Sequence, residues 1–163
     1  QELTILQTAP GISSPFTAIG IISEIGTNME AFPSAKHLCS WAGLTPTNNE
    51  SAGKKKSVRV SKAGCYIKPL LVQCANAVVK STKHPEMRNR YLRLKKRRGH
   101  KKAIIAIARM LLTALYHMLK NGENYNAELY QKSDLLPVDR EITVEQALMI
   151  ARNQGYKIKS ATA

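Results

Sequence analysis

The chain has 163 residues, 44% of them hydrophobic, which is enough for one domain of ordinary size with a buried core. Its three cysteines show no C-x-x-C spacing, which argues against a disulfide framework, and we recognise no signal peptide and no run of about 18 apolar residues that would span a membrane. We therefore expect an intracellular protein without a membrane partner, and because it begins with Gln1 we expect it to be part of a longer chain.

The first third of the chain is predicted to be helical, because most segments repeat their apolar residues at helical rather than strand spacing. A short helix is predicted over residues 3–7 and a second from Pro15 to about Ile25, with Ser14 as its cap and Gly26 at its end. A third is predicted over residues 34–41. These elements indicate a mostly α-helical fold.

Residues 43–60 are polar and rich in turn formers, and we predict a long basic loop there, with a short strand at residues 58–60. Ser61 is predicted to cap a helix over residues 62–81, in which Pro69 lies in the first turns or kinks the helix.

The second half begins with a strongly basic helix predicted over residues 86–98 and a long helix over residues 101–120 that ends at Asn121-Gly122. Thr143 starts a capping-box pattern, which predicts a last helix ending near Gly155. We expect residues 1–122 to form the main domain, with a helical hairpin at 3–26, a serine loop at 43–60 and basic helices at 61–120, and residues 123–163 to form an extension. The stripe predicted to be buried in the long helix comprises Ile104, Ile105, Ala108, Leu111, Leu112, Leu115 and Leu119.

The formal net charge of +14 is concentrated in one part of the chain. Residues 51–109 hold eighteen basic residues and one acidic residue, Glu86, whereas residues 1–50 hold one basic and four acidic residues. Such a one-signed block repels itself unless a polyanion neutralises it, and nucleic acid is the usual polyanion. An acidic membrane surface is the alternative, but no amphipathic stretch carries the large aromatic residues that favour such binding.

Three segments are candidates for contact with nucleic acid. Residues 6–18 resemble a helix-hairpin-helix, in which Gly11 and Ser13 would lie near a phosphate, although an ordinary helical turn is an equal alternative. The others are the basic loop and residues 88–102, where Tyr91 lies among arginines and could stack or contact a sugar. The residues expected to bind nucleic acid are Gly11, Ser13, Lys54, Lys55, Lys56, Arg59, Lys62, Arg93, Lys95, Lys96, Arg97, Arg98, Lys101 and Lys102.

The basic loop also contains a candidate nucleophile, Ser51, beside the small residues Ala52 and Gly53 and three lysines. Lysines near a phosphodiester stabilise the extra charge of its transition state. The alternative is a mobile, solvated loop without chemistry, and a lone serine in a polar loop is rarely a nucleophile. His37 and Cys39 are the only hint of a metal site, and they lack a second pair of ligands, so we expect none.

Motifs along residues 3–120 resemble a known family. In order, these are Leu6 to Ile12 followed by Thr17-Ala18, then residues 32–38, 41–46, 50–54 and 61–64, and later residues 99–119. Together they resemble the carboxy-terminal serine domain of bridge-RNA-guided insertion-sequence transposases, which carry a resolvase-like DEDD amino-terminal domain.

The resemblance implies a mechanism. In this family the amino-terminal domain binds divalent metal through four acidic residues, the serine of the carboxy-terminal domain attacks DNA to form a phosphoserine link, and a structured guide RNA selects the DNA. The serine corresponds to Ser51, although Ala52 here separates it from the glycine that follows in the family pattern; Ser61 is the second choice. The resemblance further implies a homo-oligomer in the prokaryotic cytoplasm, associated with the nucleoid, with Mg²⁺ expected in the absent domain and no cofactor in this chain.

Two other functions are compatible with the same sequence. One is a non-catalytic helix-hairpin-helix module that only binds nucleic acid. The other is a structural RNA-binding protein, which fits the charge but leaves the apolar helix at 101–120 and the Ser51 loop without a role.

Overall fold

The computed structural model describes residues 1–46, 49–51, 54–57, 59–128 and 144–153, and for residues 49–51 and 54–57 it describes the backbone. The described part is mostly α-helical, as the periodicity predicts. Its elements are α1 (Glu2–Gln7), α2 (Pro15–Ile25), a 3-10 turn (Met29–Ala31), α3 (Ala35–Trp41), β1 (Asn49–Ser51), β2 (Lys54–Ser57), α4 (Ile67–Lys80), α5 (Pro85–Arg98), α6 (His100–Asn121) and α7 (Val144–Asn153).

The core is built around α6, which packs against α1, α3, α4, α5 and the 3-10 turn. Five members of the predicted stripe are buried, whereas Ile105 and Leu119 are only partly buried. Burial extends further around the helix than one stripe, because neighbours cover it on several sides. The additional buried residues of α6 are Ala103, Ile107, Ala114, Tyr116 and Met118.

By length and composition α6 could also cross a membrane, since an 18-residue window within it reaches a mean hydropathy of 1.4. The helix reaches this value although Arg109 interrupts its apolar run, and a single helix of this kind is weak evidence for a membrane span. In the fold, 56% of that window is buried among the other helices. A central core helix explains its apolar composition.

The helix boundaries follow local signals at most positions. Pro15 and Pro85 begin α2 and α5, where the missing amide hydrogen leaves no helical bond unmade. Gly26 and Gly122 end α2 and α6 with positive φ angles of 71° and 68°. The segment Val144–Asn153 is helical as predicted, while the proposed cap Thr143 and the end near Gly155 lie outside the described residues.

The predicted start of α4 was wrong. The helix begins at Ile67 rather than at residue 62, and Ser61 does not cap it. Gly64 has φ +66°, a left-handed conformation that interrupts any helix begun earlier. Pro69 is then the third helical residue, where its missing amide hydrogen is tolerated and no kink is required.

Candidate active site and nucleic-acid interface

The segment predicted as a long loop is a β-hairpin. Strands β1 and β2 are antiparallel, with Ser51 paired with Lys54, Glu50 with Lys55 and Asn49 with Ser57, and the register shifts between Asn49 and Glu50. Pairing also continues in the direction of the helical core through an isolated bridge between Pro46 and Val60. The short strand predicted at residues 58–60 is not found among the described residues: β2 lies at Lys54–Ser57, Val60 forms only the isolated bridge, and Val58 lies outside the described residues. We call residues 43–64 the serine hairpin.

The base of the serine hairpin is closed by two glycines. Gly43 and Gly64 both have positive φ angles, of 67° and 66°. A Cβ atom on Gly43 would collide with the carbonyl oxygen of Ala63, and one on Gly64 would collide with the carbonyl oxygen of Ala42. The two ends of the hairpin therefore lie backbone to backbone, an approach that only glycine permits at both positions.

Ser61 lies at this base, and its surroundings explain why it is not a helix cap. Its hydroxyl oxygen accepts a hydrogen bond from the amide of Ala63 at 3.3 Å, which forms a local turn. Its carbonyl oxygen accepts a second bond, 2.6 Å long, from the Nζ atom of Lys68. Ser61 thus belongs to the base of the hairpin, whereas Ser51 lies at the end of the strand ladder where Lys54 is its partner.

The basic helices place most of the remaining candidate residues at the surface. Met87 and Tyr91 are buried on the face of α5 that packs against the core. All four residues of the last turn of α5 are basic. Gly99, with φ +80°, joins α5 to α6, and these two helices pack against each other. The exposed candidates on α5 and α6 are Arg93, Lys95, Lys96, Arg97, Arg98, Lys101 and Lys102. Arg59 and Lys62 are also exposed, beside the base of the serine hairpin. Lys54, Lys55 and Lys56 lie on or beside the paired strand β2.

Tyr91 is not available for stacking on a base or a sugar. The side chain is 8% exposed, and its hydroxyl lies 2.8 Å from Nδ1 of His100. Lys95 lies over the ring, with 5.9 Å between its Nζ atom and the ring centroid. The tyrosine thus joins α5 to the start of α6, because its ring fills the core and its hydroxyl needs a partner there.

In the hairpin formed by α1 and α2, Gly11 allows the backbone to pack closely against α4. Gly11 has φ +76°, and a Cβ atom on it would lie 2.6 Å from the carbonyl oxygen of Cys74 in α4. The close backbone approach at Gly11 is thus an approach to α4, which explains the glycine without a ligand. Ser13 is exposed, and its carbonyl oxygen accepts a 3.4 Å hydrogen bond from the side-chain amide of Gln7.

The cysteines and histidines do not converge on a metal site in the part of the chain that is described; no group of three or more His, Cys, Asp or Glu residues there could hold an ion. Cys39 is buried, with its sulfur 3.5 Å from the hydroxyl of Thr113, and burial raises the pKa of its thiol. His37 shares a 2.9 Å hydrogen bond through Nδ1 with the hydroxyl of Ser34, which is the N-cap of α3.

Sequence inspection missed one cluster, which surrounds the acidic residue of the basic block. Glu86 is 4% exposed, accepts a 3.1 Å hydrogen bond from the hydroxyl of Tyr125 and lies 3.3 Å from Nδ1 of His84. The amide of Tyr125 in turn donates to the hydroxyl oxygen of Thr8. These contacts fasten the segment after α6 to the helical core, and no local pattern joins residues so far apart in sequence.

Comparisons with known proteins place the sequence in a family. A family model described as "Transposase IS116/IS110/IS902 family" matches residues 3–92. The chain is 28% identical over 127 residues to an insertion element IS110 uncharacterized 43.6 kDa protein of Streptomyces coelicolor, a match that covers 77% of this chain and 30% of that protein. No solved structure matches the chain.

Two further relatives are the pilin gene-inverting proteins of Moraxella bovis and Moraxella lacunata. Each is 28% identical over 132 residues, a match that covers 78% of this chain and 40% of the relative. The chain thus spans well under half the length of these relatives. Since the family model covers more than half of the chain, including the helical hairpin, the serine hairpin and most of α5, the chain belongs to the IS116/IS110/IS902 transposase family.

Proposed function

We propose that this chain is the carboxy-terminal part of an insertion-sequence transposase, that it binds DNA and a structured guide RNA, and that Ser51 is its nucleophile. Family membership supports the DNA-rearranging activity, and the name of the two Moraxella relatives describes inversion of a gene. The short span of the match supports the presence of a further domain in the whole protein.

The observation that carries the proposal is the position of Ser51 on the serine hairpin. Ser51 pairs with Lys54 at the end of the ladder, and Pro46 and Val60 pair nearer the base. Ser51 follows Pro46 by five positions, which would span about 17 Å if fully extended. A residue at the far end of a hairpin that is anchored at its base can contact a large substrate such as DNA. A serine inside a helical core could not.

The proposed step is an attack of the Ser51 hydroxyl oxygen on a phosphorus atom of the DNA backbone. A bond forms between that oxygen and phosphorus, the bond from phosphorus to one deoxyribose oxygen breaks, and the phosphoserine link retains the phosphate. The serine proton passes to a base, and the departing deoxyribose oxygen takes up a proton. Attack by a hydroxyl of another DNA strand then releases Ser51 and restores the phosphodiester.

The cations around the hairpin offset the charge that develops on the phosphate. Lys54, Lys55 and Lys56 follow Ser51 on β2, and Arg59 and Lys62 are exposed beside the base. A serine hydroxyl also needs a base to remove its proton. We propose that this base, together with the Mg²⁺ held by four acidic residues, belongs to the amino-terminal domain of the same or another subunit.

The α5–α6 surface is proposed to hold the nucleic-acid backbone. Its exposed lysines and arginines lie on two consecutive helices that pack together, so their positions relative to one another are set by the core. Neutralising several phosphates releases counterions, so affinity should fall steeply as salt rises and depend little on base sequence. A flat salt dependence would contradict this part of the proposal.

The test of the nucleophile uses the full-length transposase with Ser51→Ala, and with Ser57→Ala as a matched control on the opposite strand of the same hairpin. We expect Ser51→Ala to abolish the covalent protein–DNA adduct and recombination while leaving DNA affinity within about twofold, since no charge is removed. Ser57→Ala should retain both activities. Mass spectrometry of the digested adduct should place the phosphate on Ser51.

Two results would contradict the assignment. One is a normal adduct in Ser51→Ala. The other is loss of the adduct confined to Ser61→Ala, which would move the nucleophile to the base of the hairpin. Absence of any covalent adduct in the active wild-type protein would instead favour the alternative, a module that binds nucleic acid without chemistry.

A further inference from the structure

Lys68 is the one described side chain for which the structure gives a contact to each end of the serine hairpin. It is the second residue of α4 and is half-buried. Its Nζ atom donates a 2.6 Å hydrogen bond to the carbonyl oxygen of Ser61, on the returning end. On the outgoing end, a Cβ atom on Gly43 would lie 2.8 Å from the same Nζ atom, so the ammonium group occupies the space that glycine leaves open.

A lysine at this position needs an explanation, because a positive charge in the first turn destabilises the helix that carries it. The amino-terminal turn of a helix has a partial positive charge, which disfavours a cation. The first turn of α4 contains no acidic residue that would offset the ammonium group. The carbonyl of Ser61 supplies the compensating negative dipole, so the cation is stabilised by the hairpin rather than by its own helix.

The contact lies where a small movement has a large effect. The paired residues Pro46 and Val60 lie next to the base, and Ser51 follows Pro46 by five positions, which would span about 17 Å if fully extended. For a lever of that length, a rotation of about 5° at the base moves Ser51 by about 1.5 Å, and a misplacement of about 1 Å can reduce a reaction rate about 100-fold.

We propose that Lys68 is a positioning residue: its ammonium group fixes the direction in which the serine hairpin leaves the helical core, and so places Ser51 at the scissile phosphate. The inference rests on the proposed role of Ser51. It assigns Lys68 no part in proton transfer and no contact with DNA. It also accounts for Gly43, because any larger residue would displace the ammonium group from the position between the two ends.

The experiment uses the full-length transposase with Lys68→Met, which keeps the aliphatic stem and removes the donor. Lys68→Arg restores a cationic donor, and Lys80→Met at the other end of α4 is the matched control, since Lys80 is exposed. Three quantities are measured: hydrogen exchange of the amides at residues 49–57 relative to α4–α6, the rate of adduct formation at saturating DNA, and the DNA affinity together with the melting temperature.

We expect Lys68→Met to increase exchange in the hairpin but not in the helices, and to slow adduct formation about 10- to 100-fold at saturating DNA. Affinity and melting temperature should stay near those of Lys80→Met. Lys68→Arg should recover most of the rate. If Lys68→Met does not fold, Lys68→Gln, which retains an amide donor on a shorter side chain, is compared with Lys68→Arg by the same three measurements.

A wild-type adduct rate in Lys68→Met would overturn the inference. So would a loss that only parallels a loss of melting temperature, or an arginine variant no better than the methionine variant. The proposed function fails separately: an adduct that survives Ser51→Ala contradicts the nucleophile, whereas loss in Ser51→Ala with a normal rate in Lys68→Met contradicts only the role of Lys68.

Discussion

Gly11 matches the glycine of a helix-hairpin-helix motif, but its packing against α4 is sufficient to explain why this residue is a glycine. Its left-handed conformation and its contact with the Cys74 carbonyl both exclude a side chain. Left-handed alanine costs about 1–2 kcal/mol. Overpacking against a backbone atom adds about 1–3 kcal/mol. We therefore expect Gly11→Ala to lower the free energy of unfolding by the sum of both costs.

The matched control for Gly11→Ala is Gly122→Ala. Gly122 is left-handed with a similar φ angle of 68°, but a Cβ atom there would meet nothing within 4 Å. Denaturant unfolding of both variants separates the two costs, and Gly122→Ala should show only the first. Equal losses in the two variants would contradict the packing of Gly11 against α4.

The three thiols should differ sharply in reactivity. Burial raises the pKa of Cys74 from 9.0 to about 11 and that of Cys39 in the same direction, whereas Cys65 is exposed. Only the thiolate reacts with alkylating reagents. At pH 8 we expect one thiol, Cys65, to be modified quickly in the native chain and the other two only after unfolding, counted by mass spectrometry. Rapid modification of two thiols would contradict the burial.

The same shift gives a pH dependence of stability. Because the folded pKa of Cys74 lies above its unfolded value, the unfolded state loses its proton first as pH rises. The contribution of this thiol to stability is complete below pH 9 and declines as pH rises through about 11.

Ser61 shows where inspection of single residues fails. A serine before a run of helical residues is a good cap by sequence, and Ser14 and Ser34 do occupy the residue before α2 and α3. Only Ser34 makes the expected side-chain bond, to the amide of His37 at 3.4 Å. What displaced the start of α4 is the contact between Gly64 and Ala42, and a contact across more than twenty residues is invisible to local patterns.

At the scale of elements, periodicity predicted the helices well because each helix buries an apolar face. Such a face shows in a short stretch of sequence as apolar residues three and four positions apart. The serine hairpin was predicted as a loop for the opposite reason. Its strands are short and polar, so they show no alternation of apolar residues. Their pairing depends on closure at residues 43 and 64, which only the tertiary structure reveals.

The end of α5 is the element on which the nucleic-acid proposal is most directly tested. Lys96 and Arg97 are exposed in its last turn. If both contact phosphates, Lys96→Ala combined with Arg97→Ala should weaken DNA binding uniformly across sequences and reduce the slope of log affinity against log salt by about two. Binding is measured across a salt series with duplexes of unrelated sequence.

Lys36→Ala is the control for that pair. Lys36 is exposed on α3 and is the one basic residue of residues 1–50, which also hold four acidic residues. Its loss should leave the slope unchanged. A slope that changes as much in Lys36→Ala as in the α5 variant would show that the total charge, rather than the α5 surface, governs binding.

At the scale of the whole molecule, composition and charge were more informative than any single motif. The fraction of apolar residues and their spacing predicted a helical core, and the one-signed block predicted a polyanionic partner. The sequence also indicated Ser51 as the candidate nucleophile, through its resemblance to a family. It did not indicate Lys68, because a lysine in a basic stretch carries no local sign that its ammonium group faces inward.

The closure of the serine hairpin by Gly43 and Gly64 has a consequence for engineering. The chain leaves the helical core and returns to it at nearly the same point. We therefore expect the helical core to fold whichever segment connects these two ends. Loops whose ends already meet tolerate changes in length at small entropic cost. Replacing residues 47–58 with a short two-residue turn should therefore leave the helices folded and, on the function proposed above, remove the nucleophile while keeping the basic α5–α6 surface.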